Sequence, residues 1–258
     1  MLLKYLINMD RKTKIIATVG PSLSSESKIK KIIDTGANVL RINFSHGTLE
    51  DHENVISWAR KSNKQVAIMQ DIQGPKIRTG ISSENTFLEK SKNVTLTNIE
   101  TESNNDIVFI NYENLLRDVN VDDRVFIDDG QIVLKVVEKE NDKLEALILI
   151  GGELRDNQGV AFPDSNLSVS AITEKDKEHL KFGSEHDVDF VAVSFVRNAS
   201  DINLVKEIIP KDVKVIAKIE LKTALDNIDE ILDVADGVMV ARGDLGAVSY
   251  THLRAHET

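Results

Sequence analysis

The chain has 258 residues, 42 acidic against 32 basic, a formal charge of -10 and no cysteine. That length buries one or two cores, while the acidic balance without a long basic block argues against a nucleic-acid partner. Disulfides, thiolate nucleophiles and thiolate metal sites are excluded. No apolar run reaches the ~18 residues of a membrane span and the first residues do not read as an export signal, so a cytoplasmic location is expected.

The first third repeats a strand-then-helix rhythm. Residues 14–19 read as a strand stopped by Gly20-Pro21. Ser24 or Ser25 caps a helix with Ile29, Ile32 and Ile33 on one stripe, ending near Gly36. Residues 38–44 form the next strand, a helix with Val55, Ile56 and Trp58 follows, and residues 65–71 are the third strand. Their near-continuous apolar character suits parallel strands covered by helices, with Trp58 in the core. After Gly74-Pro75 the rhythm breaks into short strands and turns. Segments 125–127 and 132–137 flank Asp128-Asp129-Gly130-Gln131 as a hairpin, and 144–150 is a further strand. The polar stretch from Gly151 to Gly159 reads as a mobile lip of this β-rich insert.

The α/β pattern then resumes. Thr173 and Asp176 form a capping box for a helix running toward Gly183. Strands follow at 190–195, 213–219 and 237–241. One intervening helix opens at Ser200 with Ile202, Val205, Ile208 and Ile209 buried, and another carries Ile228, Ile231 and Leu232. Six parallel strands with an insert after the third fit either an open doubly wound sheet or six strands of a (β/α)8 barrel. Polar residues at the strand C-termini favour the barrel.

Those strand ends carry the candidate chemistry. Lys218 and Glu220 alternate onto one strand face, with Cα atoms about 6.5 Å apart. The lysine could neutralise a phosphoryl group in transfer, and the glutamate could give Mg²⁺ a hard oxygen. The same pair also reads as solvated charges at a frayed strand end. Asp244, after Gly243, would complete a two-carboxylate metal site, although Arg242-Gly243-Asp244 is also an ordinary turn. Arg41, Asn43 and Ser45 share a face of the second strand. Arg41 suits a phosphate or carboxylate fork, Asn43 and Ser45 offer neutral oxygens to a cation, and Asp71 adds a charged one. His46 could meet a nucleotide or cap a loop, and Lys76 and Arg78 flank the entrance to the insert, where they could also bridge domains. His179 and His186 lie in a polar helix–loop stretch, and no histidine pair has metal-ligand spacing. Neither a Walker loop nor a dinucleotide fingerprint is present.

Five strings in register resemble the pyruvate kinase family over residues 12–246. They are residues 13–21 (TKIIATVGP), 41–47 (RINFSHG), 71–78 (DIQGPKIR), 217–220 (AKIE) and 241–246 (ARGDLG). The resemblance implies a partial TIM (β/α)8 barrel with six of eight strands. Residues 12–76 and 167–246 would form the barrel, residues 77–166 a small inserted β-barrel-like lid, and 247–258 a non-native tail. It implies phosphate transfer from phosphoenolpyruvate to ADP, giving pyruvate and ATP at the end of glycolysis, in an enzyme whose complete form is a homotetramer. By this resemblance Lys218 stabilises the phosphoryl group in transit and Arg41 contacts it. Glu220 and Asp244 hold Mg²⁺ (or Mn²⁺), and the backbone around Gly243 and Asp244 holds the substrate carboxylate. Asn43, Ser45, Asp71 and the Ile72 carbonyl form the monovalent-cation site, while Asn43, His46 and Arg78 line the nucleotide.

Departures from the family pattern add expectations. Lys76 stands where potassium-dependent members carry glutamate, so its ammonium could make K⁺ dispensable. Gln158 stands where lysine is usual, which should weaken ADP phosphate binding unless Arg155 compensates. Residues 247–258 do not resemble the family's continuation, and the last two strands and C-terminal domain are missing. The chain alone is therefore expected to fold poorly and be inactive. Two other readings stand beside this one: an Mg²⁺-dependent enolate-forming aldolase or lyase barrel with Lys218 as a Schiff base, and a non-catalytic fragment or binding module.

Overall fold

The computed structural model describes residues 12–241 except Asp129 and Asn166. The first α/β section runs β1 (Ile16–Val19), α1 (Glu26–Asp34), β2 (Val39–Asn43), α2 (Leu49–Arg60) and β3 (Ala67–Ile72). The insert contains β4 (Phe87–Leu88), β5 (Asn93–Thr97), β6 (Ile107–Phe109), α3 (Leu115–Asp118), β7 (Arg124–Ile127), β8 (Ile132–Lys139), β9 (Leu144–Ile150), β10 (Gly152–Glu153) and β11 (Val160–Ala161). The second section runs α4 (Glu174–Glu185), β12 (Phe190–Val193), α5 (Ala199–Ile208), β13 (Lys214–Ile219), α6 (Lys222–Asp226), α7 (Ile228–Val234) and β14 (Gly237–Val240).

Strand order decides the architecture. The six parallel strands lie β1-β2-β3-β12-β13-β14, following the chain in one direction. A doubly wound sheet reverses its order at a switch point; this one never reverses. Among the described residues its helices pack on one face. There Leu40, Ile42, Ile68, Ile72, Val191, Val215 and Ala217 meet helix residues such as Ile29, Val55, Leu180, Val205 and Ile231. The other face holds a small floor of Val39, Met69 and Ala192 with Ile216 and Met239. The fold is therefore α/β, a partial TIM barrel of six strands interrupted after β3 by a small β domain.

Local chemistry explains the helix starts. Thr48 and Thr173 each form a full capping box, with Asp51 and Asp176 respectively. The helix expected at Ser200 opens one residue earlier, because the Asn198 side chain accepts the Asp201 amide at 3.2 Å and acts as the cap. Gly183 lets α4 close on β3: a Cβ there would lie 2.2 Å from Gln70 Oε1. The Gln70 amide in turn donates to the His179 carbonyl at 2.6 Å.

His179 departs from its expected polar setting. It is buried, as is His52, and their rings flank Phe44 with centroids 5.1 and 4.1 Å away. Burial, before any neighbouring charge, lowers both imidazole pKa values. Trp58 packs partly buried against the helix-side core.

The insert's main sheet has the order β11-β7-β8-β9-β5-β6, with β7 and β8 as the expected hairpin. Stretch 151–159 is built into the insert rather than standing off as a lip. β10 pairs with β4, Leu154 and Gln158 are buried, and Gly159 bridges Arg78.

Candidate active site

Strand alternation sends odd-numbered residues of β2 and β3 to the concave face. Arg41 pairs in register with Met69, and Asn43 with Asp71. Asp71 lies opposite Ala192, which lies opposite Ile216. Ser194 and Lys218 stand two residues further along their chains, on that same face and at the C-terminal end of the sheet.

The charged groups there form one continuous chain of contacts. Arg41 donates from Nη1 to Thr18 Oγ1 at 3.0 Å, and its Nε and Nη2 both reach Asp71 Oδ2, at 2.6 and 2.5 Å. The other oxygen of Asp71 lies 3.3 Å from Lys218 Nζ. Lys218 also meets Glu220 Oε1 at 2.9 Å and Ser194 Oγ at 2.7 Å. The second Glu220 oxygen accepts the Phe195 amide at 2.7 Å. Asp71 and Glu220 are each 1% exposed. Two buried carboxylates and two cations leave the cluster formally neutral, as burial demands.

A cleft of about 360 Å³ opens beside this cluster, between insert and barrel. Lys76, Arg78 and Asp128 line one side, and Phe195, Arg197 and Glu220 the other. Glu220 thus belongs to both the charge cluster and the cleft wall. Lys76 has no ion-pair partner among the described residues. Burial lowers its pKa first, and the nearby cations Arg78, Lys175 and Lys218 lower it further. A second hollow, rimmed by Arg60, Asp189 and Lys214, lies at the opposite, N-terminal ends of β3, β12 and β13. Barrel chemistry does not gather at that end.

Two clamps hold the returning linker beneath the insert. Arg197 Nη1 donates to the Leu167 and Val169 carbonyls at 2.6 and 2.8 Å, while Asp201 pairs with the same guanidinium at 3.2 Å. Asp118 takes the Ser168 amide and hydroxyl at 2.6 and 2.7 Å, and the Tyr112 hydroxyl as well. Burial raises the Asp118 pKa, but the hydrogen bonds from Ser168, Tyr112 and Arg117 outweigh it and hold the carboxyl well below the usual range. On the outgoing linker, Gly74 has φ of +66° and donates its amide to Asp176 at 3.2 Å.

Arg41, Asp71, Lys218 and Glu220 are thus brought together, with Asp71 as the link between the two cations. Asn43 and Ser45 sit at the end of β2, where the Asn43 side-chain oxygen accepts the Ser45 amide at 3.0 Å. His46 is exposed on the same turn, its amide 3.3 Å from the Asn43 carbonyl. The Ile72 carbonyl accepts the Ser194 hydroxyl at 2.8 Å. Arg78 reaches the cleft but spends part of its guanidinium on the Asn157 carbonyl. Gln158 is buried, and Arg155 pairs with Asp128 at 2.7 Å on the cleft wall. Gly243 and Asp244 lie outside the described residues.

Mg²⁺ typically binds through one or two carboxylates plus substrate phosphates. Glu220, a carboxylate facing the cleft, fits that role. Among the described residues no three acidic, histidine or cysteine groups converge as a complete metal cage. Sequence reasoning missed Thr18, Ser194 and the Phe195 amide. The signal for Ser194 was available, since it is a polar residue just past an apolar strand, on the face shared with Lys218.

Among the described residues no helix is long and apolar enough to cross a membrane. Residues 10–251 match the family profile described as pyruvate kinase, barrel domain. The pyruvate kinase of Thermotoga maritima is 44% identical over 244 residues, covering 92% of this chain and 52% of its own length. A Staphylococcus aureus pyruvate kinase is 43% identical over 246 residues, covering 92% of this chain and 42% of its own. The chain therefore spans about half the length of the curated relatives it matches.

Proposed function

The chain belongs to the pyruvate kinase family, and from that premise we propose that its charge cluster serves phosphoryl transfer from phosphoenolpyruvate to ADP, giving pyruvate and ATP. The observation that carries this reading is the buried run Arg41–Asp71–Lys218–Glu220 at the strand C-termini, opening through Glu220 onto a cleft lined by Lys76 and Arg78.

Phosphoryl transfer asks a protein for positioning and charge stabilisation more than covalent chemistry. Lys218 and Arg41 supply the positive charge. The longest of the three Lys218 contacts is the one to Asp71, at 3.3 Å. It is the contact most readily exchanged for a phosphoryl oxygen, and Arg41 can turn toward the same group. Glu220, with Asp244, would hold Mg²⁺ or Mn²⁺, which when bound offsets phosphate charge and polarises its oxygens. The backbone at Gly243 and Asp244 would take the substrate carboxylate, and Asn43, His46 and Arg78 the nucleotide. Two carboxylates pair with Lys218, the setting of a cation, so nothing observed favours the Schiff-base lyase.

In a form extended to its relatives' full length, Mn²⁺ added with phosphoenolpyruvate should broaden the ligand's ³¹P resonance, and ADP should then acquire its phosphate. Glu220→Gln should weaken this ternary binding by roughly tenfold or more. Silence of that full-length form toward phosphoenolpyruvate would refute the reading.

Asn43, Ser45, Asp71 and the Ile72 carbonyl form the proposed monovalent-cation site, with Lys76 supplying in fixed form the charge that K⁺ would bring. Turnover of the full-length form should therefore change little when tetramethylammonium replaces K⁺ at constant ionic strength. Lys76→Glu should introduce a K⁺ requirement. Strong K⁺ activation of the unaltered full-length form would count against the substitution of charge.

A further inference from the structure

We propose that Ser194 is a positioning residue for Lys218, a role that rests on and deepens the phosphotransfer reading. A serine hydroxyl has one proton to give and two lone pairs to receive with. Ser194 Oγ lies 2.8 Å from the Ile72 carbonyl and 3.5 Å from Asp71 Oδ1. The proton therefore goes to the carbonyl, and the oxygen is left as an acceptor. It receives Lys218 Nζ at 2.7 Å, the shortest of that ammonium's three contacts.

An ammonium has three protons, and here each has an acceptor: Ser194 at 2.7 Å, Glu220 at 2.9 Å and Asp71 at 3.3 Å. Two of these acceptors carry charge and have competing partners. Asp71 is shared with Arg41, and Glu220 faces the cleft as the candidate cation ligand. An arriving anion or cation draws on one or both of them. The Ser194 hydroxyl is neutral and locked by a backbone carbonyl, so it remains when a carboxylate lets go. It keeps the ammonium aimed while its charged partners change.

The turn is built to hold that position. Ser194 is 4% exposed, and the next residue, Phe195, has φ of +55°. A left-handed conformation is costly for a bulky side chain and persists only where the surroundings over-determine it. What it yields here is the Phe195 amide on Glu220 Oε2 at 2.7 Å. One strained turn thus fixes Lys218 through a side chain and Glu220 through the backbone.

The test is ¹H–¹⁵N spectroscopy of the chain labelled with ¹⁵N-lysine, where Lys218→Arg identifies the Lys218 ammonium signal. Ser194→Ala should speed hydrogen exchange of that ammonium roughly tenfold, the effect of losing one hydrogen bond to a charged group. Phosphoenolpyruvate affinity in the presence of Mg²⁺ should fall by a similar factor, while Mn²⁺ affinity without substrate stays unchanged; a merely structural serine would move both. Ser194→Thr, which restores the hydroxyl, should restore exchange and affinity. If Ser194→Ala fails to fold, Ser194→Cys gives a graded version, since a thiol of similar size accepts weakly. Unchanged ammonium exchange in these variants overturns the positioning role whatever the substrate. Accelerated exchange, with the full-length form ignoring phosphoenolpyruvate, supports the positioning of Lys218 and overturns the phosphotransfer reading alone.

Discussion

Asp71→Ala should destabilise the fold by about 3–5 kcal/mol, the usual consequence of deleting one partner from a buried ion pair. Asp71 is 1% exposed, and its two oxygens serve different cations: Arg41 on Oδ2, and Lys218 on Oδ1 at 3.3 Å. Without it, Arg41 keeps only the Thr18 hydroxyl within the cluster, at 3.0 Å, and Lys218 relies on Glu220 and Ser194. Asp71→Asn should cost less, because the amide oxygen still accepts from one cation. Urea unfolding followed by Trp58 fluorescence reads the effect, since Trp58 packs against the helix-side core. A loss below about 1 kcal/mol, the range of solvated surface pairs, would show that Asp71 does not hold the cluster together.

On the proposed phosphotransfer reading, Lys218→Met in a form extended to its relatives' full length should lower transfer from phosphoenolpyruvate to ADP by roughly 10²- to 10³-fold, comparable to removing one preorganised donor from a transition state. Methionine keeps the apolar stem and deletes the charge. The carboxylates are not abandoned, since Asp71 retains Arg41 and Glu220 retains the Phe195 amide. The buried cluster is nonetheless left one positive charge short, so some stability is lost too and the rate is read on the folded fraction. Lys218→Arg should not rescue, because a planar fork cannot meet three acceptors arranged around a point charge. Transfer rates close to those of the unaltered full-length form would place the chemistry elsewhere.

The buried imidazoles make stability pH-dependent in a definite sense. Burial lowers the folded pKa values of His52 and His179 below the ordinary 6.5. As pH falls through 6.5 the unfolded chain takes up protons that the folded chain resists, so the contribution of these residues diminishes toward acid. The charged groups facing them are His179 and Asp51 beside His52, and Lys175, Asp176 and Glu178 beside His179.

Local periodicity carried much of the site. Lys218 and Glu220 could be placed together because residues two apart on a strand share a face, and Arg41 and Asn43 by the same rule. The capping box at Thr173 and the hairpin at 125–137 were legible because their signals span few residues. The family resemblance rested on strings that are likewise local. Strand order was not local: barrel and doubly wound sheet draw on the same strands and helices, and only the unreversed pairing β1-β2-β3-β12-β13-β14 separates them.

The sequence by itself therefore determined which residues share a strand face, where helices begin and which family the chain joins, since these follow from neighbours along the chain. Tertiary structure alone decided that one carboxylate, Asp71, serves two cations, that Arg155 turns to Asp128, and that Phe44 lies between two buried histidines. It also decided that Ser194 meets Lys218. All of those contacts but Phe44–His52 join residues at least 20 positions apart, and they depend on the register and packing that place one element beside another.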